Sequence, residues 1–264
     1  MKKFLSFALC AAALCACGKN ATPSGSGAAA GTAYIRLVNG SADIETVNPQ
    51  LPPTAPKCNF GSSAGGFGQL ISAQVNGITA AASFPYEAVS SYVPVSQGTV
   101  NVSILYPGGT VTTGCPPLTF TTPALKAGSY TTVVVAGEYQ SKTLQFVVFS
   151  DPDPASSPSA QISNASPQFG ATQTGTFVPG TSAFQNTGNV AFGASASMPT
   201  ASSAPGLAYF LGSASFPGAM LLPSQISSLD VNNVLPFGNF AHLSMYAIDP
   251  TPGGAAPNLI GALY

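Results

Sequence analysis

The chain has 264 residues, and it combines a hydrophobic fraction of 45% with a charged fraction of only 6%. This balance excludes general disorder, which needs high charge and low hydrophobicity, and the few basic residues form no patch that would bind nucleic acid. Glycine (28 residues) and proline (24 residues) are plentiful, and this composition favours short β-strands and turns over long helices.

The first residues, 1–16, predict a secretory signal peptide. Lys2 and Lys3 precede an apolar run that ends in small residues around Ala16, which is the order of segments found in such signals. Gly18 follows too early for a transmembrane helix, which needs about 20 consecutive apolar residues.

The end of this run, Leu14-Cys15-Ala16-Cys17, resembles the bacterial lipobox. In that motif the invariant cysteine receives a diacylglycerol before cleavage, so the resemblance implies that Cys17 is lipidated and anchors the chain to a membrane. Gly18 lacks the aspartate that signals retention in the inner membrane, which implies an outer-membrane lipoprotein of the cell envelope, facing the periplasm or the cell surface. An ordinary cleavage site beside an idle cysteine is the alternative.

Residues 17–31 contain no apolar period and are rich in Gly, Ser and Ala. This segment is expected to be a flexible tether with a root-mean-square length of roughly 20 Å.

The remaining cysteines, Cys58 and Cys115, are expected to form a disulfide. Cys10 and Cys15 would leave with the signal peptide, and Cys17 would carry lipid, so two thiols remain in an oxidising compartment. In the chain-entropy model such a bridge stabilises the fold by about 4 kcal/mol. The alternative is two unpaired thiols, either buried or bound to metal. Only one histidine is present to complete a metal site, so no metal or cofactor is predicted.

The first domain is predicted over residues 32–150 as an antiparallel β-sandwich. "TVNVSILY" alternates apolar and polar residues with period two, and "SYTTVVVAG" and "TLQFVVF" are β-branched or aromatic runs of strand length. Asn76-Gly77 is typical of a type I′ hairpin turn, and "YPGGT" at 106–110 predicts a further turn between strands.

A proline-rich stretch, "SDPDPASSPS", predicts a linker at 151–158 and a second domain over 159–264. Six short runs in that half, including "AQIS", "GLAYFLG" and "FAHLSMYAI", are strand candidates. The only helical spacing lies at 223–235.

The two halves also echo each other. "FPYEAVSSYVP" at 84–94 resembles "VAFGASASMP" at 190–199, and "YIRLVNGSAD" at 34–43 resembles "AQISNASPQF" at 160–169.

These stretches, with "AQVNGI" and "LKAGSYTTVVVAGE", resemble the bacterial domain of unknown function 4397, best over 33–149, with a more diverged copy across 160–199. The resemblance implies tandem immunoglobulin-like β-sandwiches in a secreted or lipid-anchored protein. It implies no active site, because that family has no assigned chemistry and fold does not carry function by itself.

One catalytic pattern is present, since "GSSAG" at 61–65 matches a nucleophile elbow centred on Ser63, and Asp230 and His242 follow in hydrolase order. That motif requires a strand-to-helix turn, whereas Ser63 lies in a glycine-rich loop, so a structural loop is favoured. His242 alone is more typical of a surface or hydrogen-bonded histidine.

Two acidic pairs, Asp43/Glu45 and Asp151/Asp153, offer oxygen ligands for calcium but too few of them, and a solvated linker is favoured.

We therefore expect a lipid-anchored, non-enzymatic protein of the cell envelope with a structural, adhesion or ligand-binding role. It would contact the membrane through Cys17 and could hold a surface glycan or a protein ligand. The alternatives are an extracytoplasmic serine hydrolase using Ser63, and a carbohydrate- or peptide-binding module. Such a module would stack its ligand on tyrosine, because the chain has nine tyrosines and no tryptophan.

Overall fold

The computed structural model describes residues 31–42, 44, 71–105, 117–138, 143–168, 172–177, 184–199, 208–213, 216–221, 242–250 and 258–264. These residues form sixteen β-strands without a helix, which confirms the predicted all-β class. In the same ranges, no helix is long and apolar enough to cross a membrane. The predicted turn at 106–110 and helical segment at 223–235 lie outside the described residues.

The first half of the chain contains eight strands: β1 Thr32–Asn39, β2 Ser72–Val75, β3 Ile78–Ala81, β4 Val93–Ser96, β5 Asn101–Leu105, β6 Leu118–Thr121, β7 Tyr130–Ala136 and β8 Gln145–Asp151. They form two sheets, with strand orders β4-β1-β7-β8 and β3-β2-β5-β6. All pairings are antiparallel except that of β1 with β7, which is parallel.

One apolar core lies between these two sheets, so the first half is a β-sandwich. Val102 and Ile104 on β5 are buried in this core while Asn101 is exposed, as the period-two pattern predicts. The β2–β3 hairpin also follows the prediction, since Asn76 (φ 49°) and Gly77 (φ 79°) take the positive angles of a type I′ turn.

The second half contains β9 Ser159–Asn164, β10 Thr172–Phe177, β11 Phe184–Val190, β12 Ser195–Met198, β13 Ala208–Ser213, β14 Phe216–Leu221, β15 His242–Ile248 and β16 Asn258–Leu263. Its sheets have the orders β12-β9-β15-β16 and β11-β10-β13-β14, with one parallel pair, β9 and β15. A second apolar core, which includes Ile162 and Met245, lies between them.

The two halves repeat one topology, because each strand of the first half corresponds to the strand eight places later. The equivalence extends to single hydrogen bonds. The amide of Glu87 donates to Asn39 O at 2.9 Å, and the amide of Gly193 donates to Asn164 O at 2.8 Å. Both Glu87 (φ 67°) and Gly193 (φ 77°) have positive φ angles. The sequence echo at 84–94 and 190–199 thus corresponds to equivalent turns.

The inner sheets of the two sandwiches pack back to back. A third apolar cluster joins Val134 and Phe149 of the first half to Tyr246 and Ile248 on β15. Gly40 lies at this junction, where an added Cβ would come within 2.7 Å of Ile248 Cγ2. The sheets are therefore arranged as four layers, and β1, β7, β9 and β15 lie in the middle two.

Candidate functional site

The most polar buried region lies between the two sandwiches and is centred on Arg36. On β1, Ile35 and Leu37 point into the core of the first sandwich, so strand alternation directs Arg36 to the opposite face, toward the second sandwich. Only 2% of Arg36 is exposed. A buried guanidinium needs hydrogen-bond acceptors and a counter-charge, because its desolvation costs several kcal/mol.

The hydrogen bonds of Arg36 reach both halves of the chain. Its Nε donates to Oγ1 of Thr132 at 2.8 Å, and Thr132 is the residue on the parallel strand β7 that lies directly beside Arg36. Its Nη2 donates to Tyr246 OH at 2.6 Å. The same Nη2 lies 3.4 Å from Asp151 Oδ1. Arg36 therefore binds one carboxylate from its own sandwich and one tyrosine from the other.

Two aromatic rings lie against the guanidinium of Arg36. Its Cζ is 4.6 Å from the ring centroid of Tyr92 and 4.7 Å from that of Tyr264. The two rings contact each other edge to face at 5.4 Å. Cation–π contacts of this kind contribute about 2 kcal/mol when desolvated. Tyr92 precedes β4 and Tyr264 follows β16, so the stack also spans both halves.

The carboxylate of Asp151 accepts hydrogen bonds on both oxygens. Besides Arg36, four hydroxyl groups and one side-chain amide donate to it. The hydroxyls belong to Tyr92, Thr132, Ser244 and Tyr246, and the amide belongs to Gln161. The side chain of Asp151 has no exposed surface, and these donors replace the water that it loses. We call Arg36, Asp151, Tyr92, Thr132, Ser244, Tyr246 and Tyr264 the Arg36 cluster.

Protonation in the Arg36 cluster is fixed around neutral pH. Burial raises the pKa of Tyr264 to about 12 and the pKa values of Tyr92 and Tyr246 further above their ordinary range. Burial opposes the charge on Arg36, but attraction to Tyr246 and Asp151 outweighs it and raises its pKa. The tyrosines therefore act as neutral donors and Arg36 as a permanent cation, which suits a structural ion pair better than proton transfer.

His242 lies beside the cluster at the start of β15 and is fully buried. Its Nδ1 is 2.8 Å from Ser159 Oγ, and its ring stacks on Tyr264 with centroids 5.4 Å apart. Its Nε2 makes no hydrogen bond. Burial lowers the pKa of His242. Of the two expectations for His242, a surface or a hydrogen-bonded histidine, the structure shows the second, with Ser159 as its partner.

A second carboxyl group is buried at the far end of the interface. Asp249 follows β15, and its Oδ1 accepts hydrogen bonds from Ser166 Oγ and from the amide of Gln168. Tyr86 OH donates to the carbonyl of Asp249, so the turn after β15 is joined to the first sandwich. Burial raises the pKa of Asp249.

The predicted site residues Cys17, Cys58, Cys115, Ser63 and Asp230 lie outside the described residues. The favoured interpretation of Asp151 as part of a solvated linker is wrong, because its carboxylate is buried and pairs with Arg36. Within the described ranges, no group of three histidine, cysteine or acidic side chains could hold a metal ion.

Sequence reasoning missed the Arg36 cluster as a unit. One signal was available, because Arg36 is a lone charge in the otherwise uncharged strand "TAYIRLVN". In a chain with so few charges, an arginine on a strand implies a buried partner. Asp151 could not be chosen as that partner, since it is separated from Arg36 by 114 positions and was assigned to the linker.

The architecture defines an all-β protein built of two similar sandwiches, in which a buried ion pair of the first forms hydrogen bonds to the second. A family described as Domain of unknown function (DUF4397) matches residues 70–174 of the chain. The match begins next to β2 and ends within β10, so it covers most of the first sandwich and the start of the second. No curated protein matches the chain.

Removal of either charge at the interface is expected to destabilise the protein strongly. Arg36→Met leaves Asp151 buried without a cation, and such a loss costs about 3–5 kcal/mol. The double variant Arg36→Met/Asp151→Asn should lose less than the sum of the two single variants, because neither charge then remains buried. Urea unfolding of the wild type, Arg36→Met, Asp151→Asn and the double variant measures this coupling.

The control is Lys126→Met, which removes an exposed cation. Its free energy of unfolding should lie within about 0.5 kcal/mol of that of the wild type. Single variants as stable as this control would contradict the buried-pair account.

His242 should make the protein less stable in mild acid. Its pKa is lowered in the folded state, so the unfolded chain binds the proton more readily, and stability falls as pH drops below the unfolded value of about 6.5. His242→Phe keeps an aromatic ring that does not titrate, so the difference in unfolding free energy between the variant and the wild type should change in this pH range. A constant difference between pH 7 and pH 5, to within about 0.3 kcal/mol, would contradict the prediction. Taking this difference removes the contribution of Asp249, which titrates in both proteins.

Proposed function

We propose that the chain is a non-enzymatic lipoprotein of the cell envelope, tethered through Cys17, in which two family sandwiches act as one rigid structural module. The observation that carries this proposal is the Arg36 cluster. Its charges and hydroxyls bond to one another across the two sandwiches, so the groups best suited to chemistry serve to join the halves.

Rigid joining suits a protein that holds two surfaces in a fixed orientation to each other. Two domains linked only by residues 152–158 would move independently, because flexible linkers impose little orientation. Here the Arg36 cluster and the apolar contacts of Val134, Phe149 and Ile248 fix the inner sheets against each other. The second half, with the same strand order, is proposed as a diverged copy of the same family module.

The anchor is supported by the lipobox-like sequence before Cys17 and by the position of the first described strand. In the proposal, residues 18–31, which precede β1 at Thr32, form the tether. A single acyl chain binds membranes only marginally, whereas the several chains of a bacterial lipoprotein give stable attachment. Outer-membrane sorting follows in the proposal from Gly18, and the Cys58–Cys115 disulfide from the oxidising compartment.

Intact mass spectrometry of the protein extracted from native membranes tests the anchor and the disulfide together. The expected species begins at Cys17, carries a diacylglycerol and an N-acyl chain, and gains the mass of two hydrogen atoms on reduction. Cys17→Ser should abolish acylation, and Cys58→Ser should abolish the gain on reduction while leaving acylation intact. A chain that is cleaved elsewhere and lacks lipid would overturn the anchor. A lipidated chain with no change on reduction would overturn only the disulfide.

A second candidate, a glycan- or peptide-binding module, is favoured by one pair of aromatic rings. Tyr34 and Tyr130 pair across β1 and β7, are half-buried, and stack with centroids 4.6 Å apart and an angle of 8° between their planes. Tyrosine pairs of this kind offer a flat apolar surface with a hydroxyl at its edge, on which a sugar ring or a peptide side chain can stack.

Glycan and peptide arrays probed with the purified protein test this second candidate. For a ligand that binds saturably, Tyr34→Ala should weaken affinity by about two- to tenfold, the range expected for an aromatic contact, while Tyr34→Phe should retain it. Equal binding by both variants, or no binding on either array, would exclude the tyrosine pair as the binding surface.

A further inference from the structure

The first sandwich has two chemically different ends. The near end is where β1 begins and where the tether arrives. It consists of Gly31, the β2–β3 hairpin tip at 76–78, the β4–β5 connection at 97–100 and the β6–β7 loop at 122–129. The far end is where β1 stops at Asn39.

Backbone hydrogen bonds join the loops of the near end. The amide of Gln97 donates to Gly31 O at 2.6 Å, and the amide of Gly128 donates to Thr32 O at 2.6 Å. The amide of Asn76 donates to Asn101 O at 2.7 Å, which places the hairpin tip beside the start of β5. The tether therefore enters the fold among these loops.

An apolar side chain is exposed at the near end. Ile78 lies at the hairpin tip with 59% of its surface exposed, and it is the large hydrophobic residue that stands out as exposed among the described residues. Lys126 is exposed in the β6–β7 loop at the same end of the sandwich. An exposed apolar residue and a lysine at one end match the interface of a bilayer, where acyl chains lie just below phosphate groups.

Charge is distributed unequally between the two ends. The loops that define the near end contain no acidic residue, although Asp153 of the interdomain linker lies near Tyr130 at the start of β7. Among the described residues, the far end of the first sandwich carries two acids, because Glu87 donates its amide to Asn39 O and Glu138 follows β7. An anionic surface would therefore repel the far end more than the near end.

We propose that the near end of the first sandwich docks on the bilayer that holds the lipid anchor, with Ile78 inserted among the lipids and Lys126 paired with lipid phosphate. This inference rests on the proposed anchor at Cys17. In the proposal, residues 18–31 act as a tether of roughly 20 Å, which keeps the near end close to the bilayer. The tether raises the local concentration of lipid, and a weak contact then suffices for docking.

The absence of tryptophan from the sequence makes a direct test possible. Ile78→Trp places a single tryptophan at the near end. Ser83→Trp places one at the far end, just beyond β3, where the amide of Phe84 donates to Ile71 O. Both positions are exposed and flank the same strand, and both variants add the same affinity of tryptophan for interfaces. Any difference between them therefore reports orientation.

Each acylated, full-length variant is reconstituted into vesicles of phosphatidylethanolamine and phosphatidylglycerol that contain a brominated phosphatidylcholine as quencher. The expected result is strong quenching of Ile78→Trp and none of Ser83→Trp. Adding Lys126→Gln to Ile78→Trp should lower the ratio of docked to undocked protein about fivefold, because one lysine near an anionic surface contributes about 1 kcal/mol.

Vesicle flotation and mass spectrometry of the same samples separate the two claims. Acylated protein that floats but shows no quenching at position 78, or stronger quenching at position 83, would overturn docking and leave the anchor intact. Protein that lacks acylation and does not float would overturn the anchor, and the docking proposal with it. Quenching at position 78 that is unaffected by Lys126→Gln would overturn the role of the lysine phosphate contact.

Discussion

The arrangement of the two sandwiches depends on a charge that cannot reach water. Arg36 and Asp151 are both buried between the inner sheets, and the second sandwich completes the offset of their desolvation with Tyr246, Ser244 and Tyr264. An ion pair of this kind adds little net stability compared with apolar residues of the same size. It disfavours misplacement, however, since sliding one inner sheet by a residue pair would take Tyr246 and Ser244 away from the two buried charges. The apolar contacts of the interface supply attraction, and the Arg36 cluster selects one arrangement.

The repeated topology explains why a polar cluster is required to select one arrangement of the two sandwiches. Each half has its own apolar core, and each inner sheet has a second face that must also be covered. That face is built differently in the two halves. Arg36 and Val38 on β1 occupy the places that Gln161 and Ser163 occupy on β9. Two identical sheet faces could pack together in more than one arrangement. A face that carries Arg36 and a face that carries Tyr246 and Tyr264 pack together in one arrangement. The divergence of the two copies is thus concentrated where they meet.

Much of the fold followed from local patterns. Alternation predicted β5, the Asn76-Gly77 dipeptide predicted its hairpin, and apolar runs predicted β7 and β15, because strand geometry and turn angles are set by neighbouring residues. The polar strand β11, "FQNTGNV", was missed because it has no apolar alternation and forms through its pairing with β10. The Arg36 cluster was missed for the same reason on a larger scale. Its members are brought together by the packing of two complete sandwiches, and no local pattern encodes that contact.

The Arg36 cluster also orders the maturation of the chain in time. Arg36, Tyr92, Thr132 and Asp151 all belong to the first half, while the groups that complete the cluster lie on β15 and just after β16. A polypeptide that crosses a membrane from its amino terminus can fold the first sandwich before the second is present. Arg36 and Asp151 are then hydrated rather than buried. The arrival of β15 and Tyr264 then expels that water in a final step. A first sandwich that folds ahead of the second would thus present its buried ion pair to water until β15 packs against it.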